Sequence, residues 1–235
     1  MRNVIVISLA AALCICFCNS KDPEDSCTYD GYQLMTYNSS GYINKYELFD
    51  ANDNGQFYFT YAYNANNYII SATVRNYSGT IIGYVTIVNN NSGDALQEFY
   101  MDQDSALLFY YINTYDTNGN ILTSSEYSAD SVLESVQKFI YDESGKTSST
   151  EMYDSANALL YTNINQRNSD GLLVSVNMVD ASGNRIGYKT YVYSSAPPYT
   201  VKITFFDCTG KALLKSMPWH QFSGIERMPF IKGFP

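Results

Sequence analysis

Few side chains in this sequence could do chemistry, and those that could are scattered. His220 is the only histidine, so a metal site built from several histidines is not available. An extracellular enzyme, for example one acting on carbohydrate, would need carboxylates such as Glu98, Asp102 and Glu126 to converge in a pocket. The sequence contains no G-x-S-x-G, phosphate-loop or H-E-x-x-H pattern. It therefore predicts a protein that is not an enzyme and that uses no cofactor or metal.

Two stretches rich in Asp and Asn, residues 50–55 and 102–104, could offer oxygen ligands to Ca²⁺. The first has no Glu at the twelfth position, where a calcium loop places its bidentate ligand. Asp and Asn also bond their own backbone in tight turns. Turn chemistry explains both stretches, so we predict turns here and no calcium site.

The cysteines near the N-terminus point to export. Residues 1–18 combine a basic start with an apolar run that ends in Cys14, Cys16 and Cys18, and the run is too short to span a bilayer. A cysteine followed by a polar tether, here residues 19–34, resembles a bacterial lipoprotein signal, which implies a lipid on Cys18. A lipid chain contributes about 0.8 kcal/mol per buried methylene. An ordinary cleaved signal, or a chain left attached, is the alternative.

Charge and export together limit the partners. The formal net charge is −9 with 14 Lys plus Arg, so nucleic acid is not expected as a partner. We predict a protein of the bacterial cell envelope, either an outer-membrane lipoprotein or a surface protein, with periplasmic or secreted locations as alternatives. Its expected partners are the membrane, through the lipid, and an unknown protein or glycan.

A repeat organises the chain between residues 35 and 215. Asp, Asn or Ser recurs at alternating intervals of 12 and 14 residues, at Asn38, Asp50, Asn64, Asn76, Asn90, Asp102, Asp116, Ser128, Asp142, Asp154, Asn168, Asp180 and Ser194. Gly, or Asn at 67 and 157, often follows three residues later. The unit is thus 26 residues long, with two strands and two turns. We predict an all-β fold of about 14 strands in a long antiparallel meander.

The strands do not alternate cleanly between apolar and polar residues. Some strands, such as those at residues 123–126 and 148–151, have little apolar surface for either face. We therefore expect a single-layer curled sheet, either open or closed into a shell or barrel. Residues 216–235 contain the only Trp and three of the six prolines, and we predict that they form a C-terminal cap that also contains His220.

Tyrosines at equivalent repeat positions are candidate binding residues. Tyr58, Tyr84, Tyr110 and Tyr188 share one repeat position, which predicts that they lie on one face. Such a row could bind a sugar or a protein. The tyrosines could instead pack against one another in place of a core in a thin sheet, and we favour this interpretation.

Cys27 and Cys208 flank the repeat in a compartment that permits disulfides. In an open sheet of about 14 strands they would be tens of ångströms apart. A disulfide needs Cα atoms within about 7 Å. A bond between them would therefore require the sheet to close.

The turn motif resembles a known repeat. Residues 115–122, which begin Tyr-Asp-Thr-Asn-Gly, and residues 141–146, which begin Tyr-Asp-Glu-Ser-Gly, are similar to the YD repeats of RHS and teneurin-like proteins. The resemblance extends over roughly residues 37–210. It implies antiparallel sheets that spiral into hollow shells, with structural repeats that carry no catalytic residues. The short, regular chain has no toxin or protease-like core segment, which departs from that pattern.

These features predict an exported, non-enzymatic protein that presents a structural or ligand-binding, adhesin-like surface. An extracellular carbohydrate-active enzyme, or a shell, immunity or partner component of an RHS-type system, is the alternative.

Overall fold

The structure is a computed structural model that describes residues 31–50, 52–194 and 200–207. The predictions for Cys18, Cys27, Cys208 and His220, and for the cap at residues 216–235, lie outside these residues. The strands are β1 (Gly31–Tyr37), β2 (Ile43–Asp50), β3 (Gly55–Tyr63), β4 (Ile69–Asn76), β5 (Ile81–Asn89), β6 (Ala95–Asp102), β7 (Leu107–Tyr115), β8 (Ile121–Ser128), β9 (Leu133–Tyr141), β10 (Thr147–Asp154), β11 (Leu159–Arg167), β12 (Leu173–Asp180), β13 (Arg185–Tyr193) and β14 (Thr200–Asp207).

The strands form one closed barrel. Each strand pairs antiparallel with the next, and β1 pairs with β14, where Tyr32 lies opposite Thr204. The predicted all-β meander of about 14 strands is therefore confirmed, and of the open and closed forms the structure has the closed one. Strand β1 begins at Gly31, four residues before the predicted start of the repeat domain.

The turns owe their shape to the side chain at each repeat position. In the turn after β7, Asp116 Oδ1 accepts hydrogen bonds from the backbone N–H groups of Asn118 and Asn120, both at 2.8 Å. Gly119 closes that turn with φ of 81°, in the left-handed region that glycine tolerates best. Other turns place a non-glycine residue there, namely Asp53, Asn67, Ser105, Ser131 and Asn157. Three of these, Asp53, Ser105 and Ser131, are not apparent from the glycine pattern.

A β-bulge beside the hairpin turns gives the tyrosine before the turn a specific partner. The register shifts between Thr114 and Tyr115, which brings Tyr115 opposite Ile121. Side chains at this repeat position point back to the first residue of the preceding even-numbered strand. Tyr115 donates to Ala95 O at 2.7 Å, Tyr141 to Ile121 O at 2.9 Å, Tyr193 to Leu173 O at 2.8 Å, and Tyr63 to Ile43 O. We call these four contacts the tyrosine latches.

The same position keeps this function when tyrosine is replaced. Asn89 Nδ2 donates to Ile69 O at 2.7 Å, and Arg167 Nη2 donates to Thr147 O at 3.4 Å. The last residue of each odd-numbered strand from β3 to β13 therefore ties successive hairpins together at one end of the barrel.

Alternate side chains fill the interior. Large buried residues include Tyr46, Phe59, Tyr111 and Tyr161, and they pack as one core. The strands that looked poor in apolar residues bury small polar ones instead. Ser124 is 1% exposed and Thr150 is 7% exposed, so the interior combines aromatic and aliphatic side chains with buried polar ones.

Candidate functional site

The predicted tyrosines share the outer wall of the barrel. Tyr58, Tyr84, Tyr110 and Tyr188 are half-buried, while the residues before and after each of them on the strand are buried. Because side chains alternate across a strand, these tyrosines point away from the interior. The placement on one face agrees with the prediction, although their role in binding stays a prediction.

The rings stack on neighbouring strands and not on each other. Tyr110 lies between Phe99, with centroids 5.7 Å apart, and Tyr127, at 5.1 Å. Tyr188 stacks on Phe206 at 4.5 Å. Residues 26 apart are two strands apart, or about 9.6 Å, so the intervening strand supplies the stacking partner.

A larger group of rings covers β1 to β4. Tyr32, Phe49, Tyr77 and Tyr58 follow one another with centroid separations of 5.0, 5.6 and 5.6 Å. We call these four residues the outer aromatic patch. Only Tyr58 was predicted. Tyr32 lies 26 residues before Tyr58, so the repeat spacing itself could have found it. Phe49 and Tyr77 fall outside that spacing, and the cross-strand register that sets Tyr32 opposite Phe49 is the signal that could have found Phe49.

Cations and a carboxylate border the patch. Lys45 Nζ lies 4.3 Å from the Tyr58 ring centroid and 2.6 Å from Glu47 Oε1. Lys202 Nζ lies 3.6 Å above the Tyr32 ring. The Tyr77 hydroxyl donates to Glu47 at 2.7 Å. Each cation is attracted to the negative face of a ring. The patch therefore presents aromatic rings and cationic groups side by side.

Burial and neighbouring carboxylates suppress ionisation of the patch hydroxyls. Burial, followed by the hydrogen bond to Asp53, raises the pKa of Tyr32 to about 12. Burial and the bond to Glu47 also raise the pKa of Tyr77. Both phenols are therefore neutral hydrogen-bonding groups at neutral pH, and neither is poised to act as a base.

Two of the three carboxylates considered for an enzyme lie on either side of the same tyrosine. Glu98 on β6 and Glu126 on β8 flank Tyr111 of β7 on the interior wall. Tyr111 donates to Glu126 Oε2 at 3.0 Å, and Asn113 Nδ2 donates to Glu98 Oε1 at 3.1 Å. Asp102 lies elsewhere, because its Oδ1 accepts from two backbone N–H groups of the turn after β6.

Both carboxylates are hydrogen-bonded, but only Glu98 is fully buried, whereas Glu126 is partly exposed. Glu98 is 0% exposed, so a dissolved substrate reaches it only if the barrel opens. Burial raises the pKa of Glu126, against the opposing effect of bonds from Tyr111 and Ser135. The arrangement offers no open approach for a substrate at Glu98.

The turn carboxylates are occupied by their own backbone. Hydrogen bonds from Asn54 lower the pKa of Asp50, and those from Asn120 lower the pKa of Asp116. Within the residues that the structure describes, no group of three or more His, Cys, Asp and Glu side chains could hold a metal ion. No helix in that part of the chain is long and apolar enough to cross a bilayer.

Comparisons with known proteins find only distant similarity to solved structures. No family model and no curated protein matches the chain. Among solved structures, the crystal structure of TcdB2-TccC3-TEV shares 11% identity and a TM-score of 0.34, over 72% of this chain and 10% of that one. A porin-like protein from Bacteroides uniformis shares 12% identity and a TM-score of 0.40, over 76% of this chain and 97% of that one. The structure of TcdB2-TccC3 shares 10% identity and a TM-score of 0.32, over 74% of this chain and 13% of that one. This chain thus spans about a tenth of the TcdB2-TccC3 chains, and similarity at this level does not indicate an activity.

Proposed function

We propose that this chain is an exported, non-enzymatic barrel of the bacterial cell envelope, held to a membrane by a lipid on Cys18, whose outer wall binds a protein or glycan. The observation that carries the proposal is the division between the two faces of the sheet. The interior is filled by side chains that bond one another, as at Glu98 and Asn113. The outer wall instead carries partly exposed rings and cations.

The outer aromatic patch has the composition of a recognition surface. Tyrosine is enriched where proteins bind partners, because it combines a large ring with a polar hydroxyl. Tyr77 is 41% exposed, and Lys45 and Lys202 stand beside the patch. Contact with a protein or glycan would bury these rings further and bring hydrogen-bonding groups to their hydroxyls.

A relationship to YD repeats also belongs to this proposal. The two residues of the motif have separate tasks in the barrel, since Tyr115 bonds a carbonyl of the preceding hairpin and Asp116 shapes its own turn. Hairpin-to-hairpin bonding of this kind suits a repeat that builds long sheets. It supports a structural role for the motif and assigns it no catalytic residue.

The first experiment locates the barrel on the cell. Intact cells are treated with protease and the protein is blotted beside lysed controls. Loss of the protein from intact cells supports the surface location, and it justifies a screen of host proteins and glycans. Survival until lysis refutes the adhesin-like role and leaves a periplasmic scaffold.

A second experiment tests the anchor. Cells that express Cys18→Ser should lose both incorporation of labelled fatty acid and partitioning into detergent, because the thiol that would carry the lipid is gone. Cys16→Ser is the matched control and should keep both. Equal labelling of the two variants contradicts a lipid on Cys18.

A further inference from the structure

A cleft at one end of the barrel lies away from the outer aromatic patch. It has a volume of about 310 Å³ and lies between the β3–β4 turn and the β5–β6 turn. Five asparagines line it, namely Asn64, Asn66, Asn89, Asn90 and Asn91. Its size is at the lower end for small-molecule sites, which begin at about 300 Å³.

Three of these amides are held in place by the fold, and two of the three, Asn64 and Asn89, keep a group available to a ligand. Asn64 Oδ1 accepts from the backbone N–H groups of Asn66, at 2.9 Å, and Tyr68, at 3.0 Å, which leaves its NH₂ group available. Asn89 Nδ2 donates to Ile69 O at 2.7 Å, which leaves its carbonyl oxygen available. The cleft therefore presents one oriented donor and one oriented acceptor.

Two further amides are uncommitted. Asn66 and Asn91 are exposed, and neither side chain hydrogen-bonds to another of the described residues. A primary amide offers both donors and an acceptor. Each could bind two adjacent hydroxyl groups of a ligand without giving up a contact within the protein.

An aromatic ring is fixed beside these amides. A Cβ atom added at Gly93 would lie 2.4 Å from the Tyr68 ring, so the ring rests directly against the glycine of the next turn. Ile70, which is 39% exposed, also lines the cleft. Together they provide an apolar wall opposite polar amides.

No charged side chain is among the residues that line the cleft, although the chain as a whole carries a net charge of −9. An anionic ligand would meet an unfavourable overall field and find no cation in the cleft. A ligand with many hydroxyls and one apolar face fits both walls. We propose that this cleft binds a neutral sugar residue of a glycan, with Asn66 and Asn91 contacting its hydroxyls and Tyr68 contacting its ring face.

This inference rests on the proposed surface-binding function and names the ligand class and a separate site. The test uses the mature chain and a panel of neutral oligosaccharides of glucose, galactose, mannose and N-acetylglucosamine, followed by calorimetry and by NMR of the asparagine side-chain amides. We expect saturable binding of at least one of them. Asn66→Ala and Asn91→Ala should each weaken it by about 3- to 10-fold, as for the loss of one hydrogen bond.

Asn118→Ala is the matched control, because Asn118 holds the same turn position as Asn66 two hairpins further on. It should bind like the unmodified chain. If Tyr58→Ala abolishes sugar binding while Asn66→Ala and Asn91→Ala do not, the outer aromatic patch is the site and the cleft assignment is wrong. Saturable binding only of anionic glycans or of peptides also overturns it, and leaves the broader surface-binding function in place. A failure to bind any glycan or protein would remove both proposals.

Discussion

The tyrosine latches make a quantitative prediction about what holds the barrel together. Tyr193 donates to Leu173 O at 2.8 Å and is half-buried. Replacing Tyr193 with Phe keeps the ring and removes only the hydroxyl, so the carbonyl loses a donor. We expect Tyr193→Phe to lower the free energy of unfolding. A β-bulge between Gln166 and Arg167 interrupts the ladder opposite Leu173, so the carbonyl of Leu173 depends on the tyrosine for its hydrogen bond.

The magnitude follows from one hydrogen bond. A net loss of about 1 kcal/mol is typical for such a bond, and in a domain of this size that lowers Tm by about 2–4 °C. The latches at Tyr63, Tyr115, Tyr141 and Tyr193 lie two strands or more apart, about 9.6 Å or further, so their effects should add closely. The quadruple Tyr→Phe variant is expected to lose roughly 10 °C.

Thermal unfolding followed by circular dichroism measures this shift. Tyr84→Phe is the matched control, because Tyr84 is a half-buried strand tyrosine whose hydroxyl hydrogen-bonds to none of the described residues. Its Tm should stay within about 1 °C of that of the unmodified chain. If Tyr193→Phe and Tyr84→Phe shift Tm equally, or if the quadruple variant unfolds at the original temperature, the latches contribute nothing to stability.

Three further predictions concern a turn, a titrating group and the chain ends. Both Gly79 and Gly93 have φ above 80°, but only a Cβ added at Gly93 would collide with a ring, that of Tyr68. In chemical denaturation Gly79→Ala should cost about 1–2 kcal/mol and Gly93→Ala should cost more. Equal costs would contradict the packing argument. Burial raises the pKa of Glu126 above the usual value for a glutamate, so the free energy of unfolding falls as the pH rises and Glu126 ionises in the folded state. Glu126→Gln should therefore raise Tm near neutral pH and have little effect at about pH 4, whereas a gain at both pH values would show that the titration is not responsible. Strand β1 begins and β14 ends at the same end of the barrel, so Cys27 and Cys208 should form a disulfide that contributes about 5 kcal/mol. Non-reducing peptide mapping should detect this disulfide in the unmodified chain and not in Cys27→Ser. Free thiols in the unmodified chain would contradict it.

The sequence by itself determines the number and order of the strands, because turns are made by local chemistry. Asp116 bonds backbone groups two and four residues away, so its presence is enough to shape the turn. The same reasoning predicts the 26-residue unit and the antiparallel meander. It misses turn residues such as Ser105 and Ser131, which adopt the left-handed conformation without the glycine or asparagine that usually marks it.

Closure and the direction of each side chain are decided only by the tertiary structure. Pairing of Tyr32 with Thr204 joins residues far apart in the chain, and no local pattern states that the two edges meet. Strands rich in tyrosine on both faces, such as β7 with Tyr110 outside and Tyr111 inside, give no indication of which face is buried.

The candidate sites depend on these same non-local contacts. The outer aromatic patch joins rings of four elements, and the cleft lies between Asn66 and Asn91 of two separate turns. Glu98 and Glu126 lie on either side of Tyr111 because β6 and β8 flank β7 in register. Interactions within a few residues determine the structure of each hairpin. Closure of the whole barrel determines which hairpin surfaces lie side by side and which are enclosed.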